Sequence, residues 1–194
     1  MKAGVMILEA IQKVKLYQLL FLIDKDLAEH QRGKNCPFCN SPLHYSNYFR
    51  NPRGGPKNLE EKYLLRFSLC CSAEGCRRRV LPGSLRFWDR RVYFGVFILI
   101  VVTLRQRRTD SYSASKLMKM FGVSRHTLKR WIHYFEEVFP LSSRWKKVKG
   151  RIGAGVSNTV LVNAVVSDFI KHSASVERGL ISCLAFLSGG LMVF

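Results

Sequence analysis

Apolar positions in the first 34 residues recur at the spacing of an amphipathic helix. Glu9, Lys13 and Lys15 interrupt the run, and no small-residue cleavage site follows it, so the segment does not resemble a secretory signal. The sequence therefore predicts an N-terminal amphipathic helix in residues 1–34 and a cytosolic location. The apolar face comprises Val5, Leu8, Ile11, Leu16, Leu19, Leu20 and Ile23.

A second apolar stretch, residues 92–104, has thirteen positions without a charge and is bracketed by the basic segments Arg90–Arg91 and Arg105–Arg108. A membrane-spanning helix needs about twenty apolar residues, so this stretch is too short. It predicts a buried helix. The β-branched run at residues 98–102 leaves a strand as the alternative.

Residues 114–135 show helical periodicity interrupted once, at Gly122-Val123-Ser124. The first helix is predicted over residues 114–121. The second is predicted to begin after Ser124 as its N-cap. It places four apolar side chains on one face, at i, i+3, i+4 and i+7: Leu128, Trp131, Ile132 and Phe135.

Two short helices joined by a glycine turn predict a helix-turn-helix. In that motif the outward side chains of the second helix enter the major groove of DNA. The alternative is an ordinary helical hairpin with a solvated basic face. The outward positions, which we predict to bind DNA, are Arg125, His126, Lys129, Arg130 and His133.

Cysteines occur as two pairs. Cys36 and Cys39 enclose Pro-Phe, and Cys71 and Cys76 enclose four residues that end in Gly75, which is free to take positive φ. Four thiolates from two such turns match the tetrahedral ligand set of a structural zinc ion, Zn²⁺. Disulfides do not persist in the cytosol, so the sequence predicts a small β zinc ribbon held by Cys36, Cys39, Cys71 and Cys76.

Three alternatives concern the ligands. Cys70 competes with Cys71, and Cys71 is preferred because the second turn then has four residues and Leu69 takes an inward position. His44 could replace a cysteine, but a solvent-facing or stacking histidine is the preferred assignment. Cys36 and Cys39 could instead form a thioredoxin-like redox pair, but the chain after them does not have the helix which that motif requires. Cys183 is expected to pack as a small apolar side chain.

Charge is concentrated in the middle of the chain. The formal net charge is +19 and the isoelectric point is about 10.1. Residues 30–151 carry 26 Lys/Arg against 7 Asp/Glu, while the two flanks balance. Such a field attracts a polyanion, of which nucleic acid is the usual one. Arg77, Arg78 and Arg79 follow the last cysteine and are predicted to bind phosphates, with a solvated charge run as the alternative.

The order of these motifs resembles a known class of protein. The chain contains "CPFC", then "CRRRV" with "LPGS" close behind, an apolar helix and "SASKLMKMFGVSRHTLKRW". Residues 36–139 thereby resemble the N-terminal half of insertion-sequence transposases, and short transposase-like proteins with a zinc ribbon and a helix-turn-helix. The resemblance implies recognition of double-stranded DNA in transposition, such as the ends of an element.

Catalysis is not expected. A transposase nuclease core carries three carboxylates that hold two metal ions. Beyond Pro140, only Asp168 and Glu177 are acidic, and no small-molecule substrate is evident. We therefore expect a non-catalytic, sequence-specific DNA-binding protein, either an accessory protein or a truncated transposase, that associates with the nucleoid. A basic membrane-surface interaction protein and an RNA-binding zinc-ribbon protein remain the alternatives.

The predicted fold is mainly α with a small β zinc ribbon. We expect four segments: the amphipathic helix at 1–34, the ribbon at 35–85, the buried helix with the helix-turn-helix at 86–140, and a basic linker with an apolar tail at 141–194. No membrane span is predicted. A homo-oligomer is compatible with the sequence.

Overall fold

The computed structural model describes residues 2–88, 92–107, 112–152 and 155–188. As predicted, the fold is mainly helical with a small antiparallel sheet. The chain forms two compact units. One spans Gln12–Gly95, and the other combines Met1–Ile11 with Val96–Phe194.

The Gln12–Gly95 unit consists of one long helix and two small sheets. The strands are β1 (Leu43–Tyr45), β2 (Tyr48–Phe49), β3 (Leu65–Arg66), β4 (Leu69–Cys71) and β5 (Arg79–Val80). One antiparallel sheet has the strand order β1–β4–β5, and the other pairs β2 with β3. Helix α2 (Val14–Arg32) contacts strand β1 and the short 3₁₀ turn Glu61–Leu64.

A fully buried ion pair connects α2 to the chain after β5. Arg86 Nε lies 2.8 Å from Asp24 Oδ2. The Ser84 hydroxyl and the Leu85 N–H donate to the same carboxylate, at 2.5 and 2.6 Å. Arg86 also donates to the Tyr63 carbonyl at 2.6 Å. Because every charged atom of the pair has a partner, its desolvation is offset by hydrogen bonds.

The predicted N-terminal amphipathic helix is in fact two helices, α1 (Lys2–Ala10) and α2. Lys13 adopts an extended conformation with ψ of 120°, which ends the helical path. The sequence did not reveal this break because apolar residues continue on both sides of it. Those before the break pack in the core of one unit, and those after it pack in the core of the other. Ile7 and Ile11 are buried in one unit, whereas Leu16 is buried in the other.

The second unit contains α1 and six further helices among its described residues. Helix α3 includes the apolar stretch, and its side chains from Val96 to Leu104 are buried, so the helix prediction is confirmed and the strand alternative is wrong. Among the described residues, no helix is long and apolar enough to cross a membrane. The helices are α3 (Gly95–Gln106), α4 (Ala114–Phe121), α5 (Arg125–His133), α6 (Ser143–Ile152), α7 (Leu161–Lys171) and α8 (Val176–Ser188).

The start of the C-terminal segment is helical rather than a linker. Helix α6 covers the basic residues that suggested a linker, and Trp145 anchors it by packing against Phe139 at a centroid distance of 6.2 Å. Helices α7 and α8 then form a close pair, with Gly179 against the backbone of Ile170. Residues 189–194 of the predicted tail, and the flanking residues Arg90, Arg91 and Arg108, lie outside the described residues.

Candidate metal centre and basic helix

Four thiols come together at one end of the three-stranded sheet. The Sγ atoms of Cys36, Cys39, Cys71 and Cys76 all lie within 4.8 Å of one another. The Sγ atoms of Cys39 and Cys71 are 3.3 Å apart, and those of Cys36 and Cys76 are 3.9 Å apart. A disulfide would need about 2.05 Å. Four sulfurs around one zinc at about 2.3 Å would be about 3.8 Å apart. These four cysteines could therefore hold a metal ion.

Two turns of similar construction position the thiols. The Asn40 N–H donates to the Cys36 carbonyl at 2.9 Å, and the Arg77 N–H donates to the Ala73 carbonyl at 3.0 Å. Asn40 and Arg77 each follow the second cysteine of a pair, and each has positive φ, of 61° and 46°. A left-handed residue at this point reverses the chain after the thiol. Gly75 does not have this conformation, so our expectation for that glycine is wrong and Arg77 provides the reversal.

Strand pairing separates Cys71 from its neighbour. Leu43 of β1 lies opposite Cys71 of β4, and both are buried. Cys70 lies opposite His44, and successive side chains of a strand point to opposite faces. The Cys70 thiol accordingly donates to the Arg77 carbonyl at 3.4 Å instead of joining the cluster. His44 is exposed and also lies outside the cluster, and Cys183 is buried in α8.

The thiols differ in acidity. Hydrogen bonds from the Ser41 backbone, then from the Ser41 side chain and from neighbouring thiols, lower the pKa of Cys39 to about 6. Burial raises the pKa of Cys71 to about 12. The Cys39 thiolate is thus stabilised by the hydrogen-bond donors around it, while burial opposes ionisation of the Cys71 thiol. A bound cation would reverse that opposition, because metal ligation requires deprotonated sulfur and releases the protons.

The three arginines after the cluster are exposed, as their predicted role requires. The Arg78 guanidinium carbon lies 4.5 Å from the centre of the Phe38 ring. That of Arg79 lies 5.2 Å from the centre of the Tyr48 ring. Our sequence interpretation treated these arginines as phosphate ligands and missed their aromatic partners, although the Phe in "CPFC" was a signal for one of them.

Helices α4 and α5 are joined by a tight, capped turn. The Ser113 and Ser124 hydroxyls accept from the N–H groups of Lys116 and Thr127, at 3.4 and 3.2 Å. Gly122 has a φ of 60°, the left-handed conformation that glycine adopts without steric cost. The Ser124 cap and the glycine at the C-terminus of α4 are the signals by which the sequence placed these helices, whereas the Ser113 cap is seen only in the structure.

The two faces of α5 differ sharply. Leu128 and Trp131 are buried, and the Trp131 ring meets Phe97 of α3 edge-on at a centroid distance of 6.3 Å. The five side chains predicted to bind DNA are all exposed: Arg125, His126, Lys129, Arg130 and His133. Because α5 is anchored by its apolar face, these side chains are presented on a fixed support.

Helix α6 provides a second basic surface that our linker interpretation missed. Trp145 is buried, and Val148 and Ile152 are half-buried, at the i, i+3, i+7 spacing that could have identified the helix. The basic side chains on its other positions are exposed: Arg144, Lys146, Lys147, Lys149 and Arg151. One of these, Arg151, pairs with Asp168 at 2.7 Å.

Comparison of the chain with models of known protein families, with curated proteins and with solved structures finds no match.

Proposed function

We propose that this protein is a zinc-stabilised, sequence-specific DNA-binding protein of the transposase-like class. The observation that carries the proposal is α5: a capped helix with one face buried and five exposed Arg, Lys and His side chains on the other. The two short capped helices α4 and α5 and the left-handed Gly122 between them support assigning a helix-turn-helix with α5 in a major groove. The resemblance of residues 36–139 to insertion-sequence transposases supports the class.

Residues near the N-terminus of α5 are assigned to base edges. Arg125 and Lys129 are one helical turn apart on its exposed side. In a helix of this motif, the first turns approach the bases while later positions pass over the backbone. Arg and Lys are the side chains that bind the O6 and N7 acceptors of guanine. Arg130 and His133 are assigned to the flanking phosphates.

Zinc is the metal that the donor set favours. Four sulfur donors suit zinc or an iron–sulfur centre, and a closed four-thiolate site leaves no coordination position for a substrate. The ion would be bound by Cys36, Cys39, Cys71 and Cys76. When bound, the ion would cross-link the turn that contains Cys36 and Cys39 to the turn that contains Cys71 and Cys76. Without the ion, three short strands connect these turns. Its role is to fix the Gln12–Gly95 unit, including the arginines after Cys76.

Non-specific affinity is assigned to the arginines after Cys76 and to α6. The chain carries a formal charge of +19, and exposed Arg and Lys side chains that neutralise phosphates release counterions. Such contacts strengthen binding to any sequence equally. Specificity is therefore assigned to α5, and sequence-independent affinity to Arg77, Arg78, Arg79 and the basic side chains of α6.

Selection of bound fragments from a pool of random duplexes tests this function. The purified protein should enrich a common sequence within a few rounds at about 150 mM salt, where non-specific contacts are weak. The control is the Trp131→Ala variant, which removes the buried anchor of α5 and should enrich nothing. A wild-type protein that retains DNA without enriching any sequence would contradict the proposal.

A further inference from the structure

The outer face of the three-stranded sheet carries a row of polar side chains. Strand register places His44, Cys70 and Arg79 side by side on β1, β4 and β5. Arg79 extends over the Tyr48 ring, and its Nη2 lies 3.5 Å from Ser46 Oγ. The arginine side chain is therefore held over an aromatic ring and is exposed to solvent.

A second arginine–aromatic pair lies one residue away along the chain. Phe38 is 57% exposed, at the tip of the turn between Cys36 and Cys39. Its ring is covered in part by Arg78, at 4.5 Å. The turn is closed by hydrogen bonds and ends in the thiol cluster, so this exposed ring has a fixed position. We call Phe38 and Arg78 together the aromatic–arginine surface. The Arg79–Tyr48 pair is separate from it, because successive side chains of a strand point to opposite faces.

We infer that the aromatic–arginine surface binds unpaired bases of single-stranded nucleic acid. Exposed rings stack on bases irrespective of sequence, and arginine combines stacking with phosphate binding. The segments that supply the surface, residues 35–49 and 77–80, contain no acidic residue. In a duplex, base faces are hidden in the stack, so the exposed Phe38 ring matches a single strand better than the partner proposed for α5.

The inference deepens the proposed DNA-binding function but concerns a different surface. Duplex recognition is assigned to α5 in the unit that contains Val96–Phe194, whereas the aromatic–arginine surface belongs to the Gln12–Gly95 unit. The two functions can therefore be tested separately in the full-length protein. The substrate class that would use both surfaces is DNA in which a single-stranded segment lies next to the duplex site recognised by α5.

Binding of three end-labelled probes by the full-length, zinc-loaded protein tests the inference. The probes are an oligothymidylate of about twelve nucleotides, a strand of the same length with abasic sites, and a duplex. Fluorescence anisotropy should show that the wild type binds the oligothymidylate about tenfold more tightly than the abasic strand, because only the former has bases to stack. Phe38→Ala should abolish this preference and change duplex affinity less than about twofold, whereas Phe38→Trp should retain the preference.

Phe49 provides a matched control. It is 60% exposed, lies in β2 and is not part of the aromatic–arginine surface. Phe49→Ala should leave the preference for bases intact, and zinc content should be unchanged in all variants. Equal binding of the oligothymidylate and the abasic strand by the wild type would overturn the inference. The inference would also be overturned if Phe38→Ala weakened the binding of all three probes alike, as expected for a phosphate-binding surface. It would equally be overturned if Phe38→Ala changed the binding of none of them, as expected for a protein-binding surface.

Discussion

Cys70 and Cys71 are neighbours in the chain, but their thiols lie on opposite faces of β4. Because Cys71 joins the cluster and Cys70 does not, Cys71→Ser should lose most of the bound zinc, whereas Cys70→Ser should retain about one zinc per chain. Elemental analysis of the two purified variants measures this. Zinc retained in Cys71→Ser, or lost in Cys70→Ser, would show that the site is assembled differently.

The acidity of Cys39 predicts how zinc affinity depends on pH. Its pKa is lowered to about 6, so above pH 6 zinc binds a sulfur that is already deprotonated, and below pH 6 that proton must also be displaced. Zinc affinity should therefore fall as pH decreases. The slope of log affinity against pH should steepen by about one proton below pH 6. Competition with a chromogenic chelator between pH 5 and pH 8 measures the slope, and a constant slope would contradict the assigned acidity.

For individual residues, the sequence predicted the site where the site depends on the spacing of residues along the chain. Cysteine pairs with short separations, and leucine alternating with Cys71, were sufficient to indicate the four thiols. The conformation of Arg77 was not predictable, because its positive φ arises from the geometry of the closed turn and arginine has no intrinsic preference for it.

Among the structural elements, α2 depends on the buried Asp24–Arg86 pair. Asp24→Asn removes the negative charge and leaves the Arg86 charge buried without compensation, so it should lower the free energy of unfolding by about 3–5 kcal/mol. Asp26→Asn, an exposed position on the same helix, should change it by less than about 0.5 kcal/mol. Urea denaturation of the zinc-loaded protein measures both. Equal effects of the two substitutions would refute a special role for the buried pair.

Alanine substitutions at two helical glycines should change the stability of the protein in opposite directions. A Cβ at Gly179 of α8 would lie 2.7 Å from the Ile170 Cα, so Gly179→Ala should separate α7 from α8 and destabilise the protein by about 1–3 kcal/mol. At Gly150 of α6, a Cβ would meet nothing within 4 Å, so Gly150→Ala should stabilise by up to about 1 kcal/mol. Thermal unfolding gives both values. The same sign for both substitutions would contradict the assigned packing.

Elements were predictable where their signals were local. Helices α3, α4 and α5 follow from an apolar run, the Ser124 cap and the turn at Gly122, all of them local signals. The Asp24–Arg86 pair was not predictable, because the two residues are separated by 62 positions and neither belongs to a local pattern. Helix α6 was missed because its many basic residues outweighed the three apolar positions that anchor it.

For the whole molecule, the charge distribution indicated a polyanionic partner without specifying how it is recognised. Charge acts at long range and is insensitive to sequence, whereas recognition depends on a few side chains held in position. The structure places the predicted basic side chains of α5 on an exposed face of an anchored helix. The central claim is therefore that α5 distinguishes one DNA sequence from another.

The most direct measurement is the ratio of affinities for the selected duplex and for a random duplex, in the wild type and in Arg125→Ala. Loss of a base contact should cost about 1–3 kcal/mol on the selected duplex and less on the random one, so the ratio should fall. Lys147→Ala, which removes an exposed charge of α6, should weaken both duplexes equally and leave the ratio unchanged. An Arg125→Ala variant with the wild-type ratio would contradict the account.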